Sequence, residues 1–133
     1  GWYPQGSTGG KFTAVKETTL TVPSSAFTEQ AGQLAQEFNT FKDDVRSVLA
    51  DNTFVTGTCR MLNGEPSRLD LTITTHGKML SEVMAAAQKV ESSFGTFTDT
   101  DVEYHVTIIN NDQPYAMGRR MARSTTLEFV SAA

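Results

Sequence analysis

Residues 55–75 read VTGTCRMLNGEPSRLDLTITT, and their alternation decides the fold. Leu69, Leu71 and Ile73 alternate with Asp70, Thr72 and Thr74, the period of two by which a strand sends successive side chains to opposite faces. Val55, Gly57, Cys59 and Met61 oppose Thr56, Thr58 and Arg60 in the same way. Between the two runs, Asn63-Gly64 supplies the positive φ that a tight hairpin turn needs, and Pro66 is expected to stop the ladder. The stretch therefore predicts a hairpin, Thr53 to Met61 and Arg68 to His76, with one apolar and one polar face.

An apolar sheet face needs a cover, and the flanking sequence provides two. Upstream, Phe27, Ala31, Leu34, Ala35, Phe38, Phe41, Val45, Val48 and Leu49 recur at spacings of three and four. They form one stripe on a long helix that opens at Ser24-Ser25 and ends at Asp51-Asn52. Gly32 lies inside that stripe, where it costs about 1 kcal/mol relative to alanine. Downstream, Leu80, Val83, Met84, Ala87, Val90 and Phe94 make the stripe of a second helix, Met79 to Phe94, capped by Gly95. Strands are expected over Lys11 to Val22, Val102 to Ile108 and Arg120 to Val130, with a loop over Asn110 to Pro114.

The resulting order is β-αββ-αββ, a doubled unit of helix and hairpin. Burial is most economical when both helices cover the same side of an antiparallel sheet. The expected fold is a two-layer α+β sandwich, ferredoxin-like in permuted order, over residues 11–133. Nineteen threonines among 133 residues suit the wet side of that sheet. Residues 1–10 hold four glycines and are expected to form a flexible arm on which Trp2 and Tyr3 are docking candidates.

Composition excludes more function than it assigns. A single cysteine rules out an internal disulfide framework and any zinc site of several thiolates. No apolar run approaches the roughly 20 residues of a membrane-spanning helix. The net charge of -4 disfavours a protein whose task is gripping phosphates, so nucleic acid is a possible but not a favoured partner. Localisation is left open.

Each candidate for chemistry has a counter-argument in the strand pattern. Cys59 shares the dry parity with Val55 and Met61, while His76 and His105 take the wet parity, so the sheet is expected to separate thiol from imidazole. His76, His105, Asp70 and Glu103 include good metal-ligand types. In a ferredoxin-like order, however, another strand would run between the two that carry the histidines. Gly6 to Lys11 precedes a strand and not a helix, which does not suit phosphate binding. Arg60, Arg68, Lys78, Arg119, Arg120 and Arg123 form a candidate basic patch for RNA, diluted by Asp70, Glu103 and Glu128.

No catalytic, cofactor or metal residues are therefore assigned, and the chain leans away from being an enzyme. The favoured expectation is a non-enzymatic structural or assembly module, a homo-oligomer associating through a strand edge, the open sheet face or the arm. Its binding-face candidates are Trp2, Tyr3, Thr56, Thr58, Arg60, Asp70, Thr72, Thr74, His76, His105, Arg119 and Arg120. Doubled units of this kind resemble modules of bacterial envelope machinery and the small subunits of virus-like particles, an analogy of fold only. The alternatives are a dimeric α+β barrel that binds or converts a small ligand, and RNA binding on the open face.

Overall fold

The computed structural model describes residues 15–49 and 53–131. In chain order the elements are β1 (Glu17–Val22), α1 (Ser25–Gln30), α2 (Gly32–Arg46), β2 (Phe54–Leu62), β3 (Glu65–Thr75), α3 (Leu80–Ser93), a short 3-10 turn (Phe94–Thr96), β4 (Glu103–Asn110), β5 (Gln113–Arg120) and β6 (Glu128–Ser131). They build the expected two-layer α+β sandwich, with the helices on one face of a six-stranded sheet. Trp2, Tyr3 and the rest of the expected arm lie outside the described residues, as do the start of the first strand and the Asp51-Asn52 helix stop.

The β2–β3 hairpin forms as read, with Asn63 at φ 51° and Gly64 at φ 84° in its turn. Pro66 does not stop the ladder. It stands in β3 opposite Met61, next to a register shift between Arg60 and Met61, where an irregular ladder tolerates its missing N–H. The single long helix is two. Ser24 Oγ accepts from the Phe27 N–H at 3.1 Å to start α1, and Ala31 leaves helical geometry at φ −134° and ψ 54° before Gly32 begins α2.

The strands lie in simple chain order, β1-β2-β3-β4-β5-β6. Every neighbour is antiparallel except β3 and β4, which run parallel because α3 carries the chain back along the sheet. The sheet is thus mixed where an antiparallel one was expected, and its two units stand side by side without interleaving. The segment over Gln113–Arg120 is a strand that the sequence pattern did not disclose. Ala116 and Gly118 occupy its inward positions with too little apolar bulk to show alternation.

One core joins the layers. Phe41 of α2, Phe94 and Phe97 from the end of α3, and Tyr104 of β4 form an aromatic cluster with ring centroids 5.0 to 5.6 Å apart, within the range where edge-on and tilted pairs attract. Leu69, Leu71, Ile73, Val106 and Ile108 continue it along the central parallel pair.

Candidate functional site

Two places gather polar side chains. The first is the open sheet face, whose registers align residues across all six strands. One row runs Thr21, Thr58, Asp70, His105, Arg119, Glu128. The row beside it runs Thr19, Arg60, Arg68, Glu103. On the other side lie Thr56, Thr72, Thr107, Met117 and Val130.

Within these rows acids and bases satisfy one another. Arg68 donates from Nε to both Asp70 oxygens at 3.0 Å and from Nη2 to Oδ1 at 3.0 Å, while its Nη1 reaches Glu103 at 3.9 Å. His105 Nε2 contacts the Glu103 carboxylate. Arg60 pairs with Glu17 at 3.0 Å. The His105 hydrogen bond, helped by the charges of His105, Arg68 and Arg119, holds the Glu103 carboxyl below the usual carboxylate range. A carboxyl depressed in the folded state contributes stability that is present above its unfolded pKa of about 4.3 and lost as pH falls through the folded value.

Glu103→Gln is therefore expected to flatten the acid limb of stability by up to about 1 kcal/mol, the scale of partly exposed pairs. Urea midpoints at neutral and acid pH check this: equal acid sensitivity in variant and parent would remove Glu103 from the account.

The structure separates several residues that the strand pattern had grouped. Arg120 was expected on the open face, but it points the other way, 3% exposed among the aromatics, because it follows Arg119 on the same strand and successive side chains alternate. His76 also leaves the face. It lies beyond the Thr75–Asn110 pair at the end of β3, whereas His105 stands opposite Asp70. Roughly 20 Å of strand length therefore parts the two imidazoles, in place of the intervening strand expected. Among the described residues no three histidine, cysteine or acidic side chains gather as metal ligands. Cys59 is fully buried, and burial, with the Asp70 charge behind it, pushes its thiol up to about 11. At that value it holds almost no thiolate near neutrality.

The second place was not read from the sequence. At the carboxyl end of β3 a crevice of about 320 Å³ opens between the end of α2 and the start of α3. Val48, Leu49 and Val83 supply apolar wall, and His76, Ser81 and Glu82 supply the polar rim. The connection above it is braced by side-chain amides. Asn110 Oδ1 accepts from the Gly77 N–H at 2.8 Å and from the Thr75 hydroxyl at 2.8 Å. Asn110 Nδ2 and Asn111 Nδ2 donate to the Gly77 carbonyl at 3.2 and 2.9 Å. The available signal was Thr75-His76-Gly77 leading from a strand into a helix, since ligand crevices favour the carboxyl ends of parallel strands. It went unused because an antiparallel sheet was expected.

The family whose sequence profile matches residues 3–125 is described as CamS sex pheromone cAM373 precursor. Three solved structures share the fold. A sex pheromone staph-cAM373 precursor is similar at 17% identity and TM-score 0.77, over 90% of this chain and 42% of its own. A sex pheromone precursor from Lactobacillus salivarius subsp. salivarius UCC118 is 14% identical at TM-score 0.80, over 91% of this chain and 36% of its own. The C-terminal domain of the staph-cAM373 precursor from Staphylococcus aureus is 18% identical at TM-score 0.75, over 90% and 35%. The chain thus spans about two fifths or less of the solved chains it resembles. No curated protein sequence matches it. The family match overturns the expectation of an envelope-machinery or virus-like particle subunit, since the relatives are pheromone precursors. Among the described residues no helix is long and apolar enough to cross a membrane.

Proposed function

Because the chain belongs to the CamS sex pheromone cAM373 precursor family, we propose that it is a domain of a precursor polypeptide that stays folded while the pheromone is cut from sequence outside its sheet. One observation carries this reading: a single buried cluster draws on nearly every element, from Val22 and Phe27 through Phe41, Cys59, Leu71, Val90 and Ile108 to Ala116 and Leu127. A protease needs exposed, extended backbone. Excising a segment between β2 and β5 would first require the core to open, at a cost near that of global unfolding. The open face supports a holding role over a chemical one, since Arg68, Asp70, Glu103 and His105 are engaged with each other.

Native trypsin digestion with intact-mass readout tests the proposal. The first stable product should retain residues 53–120 uncut despite Arg60, Arg68, Lys78, Lys89 and Arg119, and cleavage within that span should follow global unfolding as urea is raised. Release of a discrete peptide from that span under native conditions would overturn it.

A further inference from the structure

We propose that the crevice at the carboxyl end of β3 binds a small primary amine with an apolar body, its ammonium beside Glu82 and His76 and its hydrocarbon against Val48, Leu49 and Val83. This goes beyond the precursor reading and stands apart from it. The site is concave and braced in advance. Its roof is the Thr75 to Met79 connection, whose Gly77 has its N–H and its carbonyl both held by Asn110 and its carbonyl held again by Asn111. Helix α3 packs tightly on that glycine: a β-carbon there would come within 3.2 Å of Val83 Cγ2 and 3.3 Å of Glu82 Cβ. The close approach sets Glu82 at the rim. A pocket held this way need not be ordered by its ligand, which lowers the entropic cost of binding.

Size and charge narrow the ligand. At about 320 Å³, and with a water occupying about 30 Å³, the space suits a molecule on the order of ten heavy atoms. Of the lining residues described, Glu82 is the acid and neither lysine nor arginine is among them; Lys78, in the roof connection, is exposed to solvent and does not line the crevice. The amides at the start of α3 favour negative charge, and Glu82 in the first turn already provides it. An anionic ligand would meet that carboxylate, whereas a cation gains from it. A bare metal ion does not fit, since the described residues place no third ligand with His76 and Glu82. The apolar wall then selects an organic cation, each buried methylene contributing about 0.8 kcal/mol.

Three six-carbon probes, n-hexylamine, 1-hexanol and hexanoate, separate these contributions when titrated into the labelled protein near neutral pH. Hexylamine should give saturable amide shifts centred on residues 48–49 and 75–85, binding about fivefold more tightly than hexanol, the scale of one partly exposed ion pair. Hexanoate should bind most weakly. Glu82 is exposed on its helix, so Glu82→Gln keeps the fold, verified by unchanged shifts elsewhere, and should bring hexylamine down to the hexanol level. Absence of saturable shifts, hexanol or hexanoate binding as tightly as the amine, or an unaltered preference in Glu82→Gln would each overturn the proposal.

Discussion

Gly57→Ala is expected to destabilise the domain by about 3 kcal/mol or more, or to prevent folding, although it adds one methyl group. A β-carbon at this position would overlap the Asp70 carbonyl oxygen and stand 3.2 Å from the Leu71 Cα. Both are backbone atoms of the neighbouring strand and have no rotamer through which to retreat. Relief requires β2 and β3 to part, yet Thr56↔Thr72 and Thr58↔Asp70 flank the contact and β3 is clamped by β4 on its other side. Gly32→Ala makes the control. Nothing lies within 4 Å of a β-carbon there, and an exposed first helical residue gains roughly 0.5 to 1 kcal/mol from alanine. Urea unfolding followed by circular dichroism separates the two, and a Gly57→Ala loss below about 1 kcal/mol would refute the close approach.

The second large effect belongs to Arg120. Its Nη2 donates to the Phe97 carbonyl at 2.8 Å and its Nη1 to the Phe94 carbonyl at 3.4 Å. Its guanidinium lies 4.3 Å from the Tyr104 ring centroid and 5.6 Å from that of Phe94. The side chain therefore ties β5 to the turn that ends α3, and among the described residues no acid forms an ion pair with it. Arg120→Ala strips two carbonyls of their donor, removes the cation from the aromatic faces and leaves a hole, for an expected loss of about 3 to 4 kcal/mol. Arg120→Met should cost about half as much. It refills the volume and removes the desolvated charge, whose Nε has no hydrogen-bond partner, while still abandoning the carbonyls. Equal losses for the two variants would mean that the guanidinium's contacts with the carbonyls and rings carry the whole effect and the filled volume none.

These two residues mark where the sequence is legible. The β2–β3 hairpin could be read because everything that specifies it is local: a period of two in Leu69, Leu71 and Ile73, and a turn pair that accepts positive φ. The helix stripes were legible for the same reason, apart from the break at Ala31, where a continuous three-and-four spacing runs across two helices. Strand β5 was not legible. Its inward positions are Ala116, Gly118 and Arg120, and Gly118 is small because a β-carbon would meet Val106 Cγ1 at 2.9 Å. That constraint comes from β4 and leaves no mark in the residues beside it. The crevice is similar, since its walls come from the end of α2 and both ends of the β3–α3 connection.

By itself the sequence determined the layers: alternation makes strands with one dry side, helical stripes make their cover, and burying both apolar surfaces at once leaves a two-layer sandwich. The tertiary structure alone decided which strands are neighbours, that β3 and β4 run parallel, that His76 leaves the face held by His105, and that Arg120 turns inward. Apolar patterning records how much surface each segment must hide, a sum over its own residues. Neighbour choice and the fate of a buried charge depend on partners distant in the chain, whose contribution appears only once the chain has closed on itself.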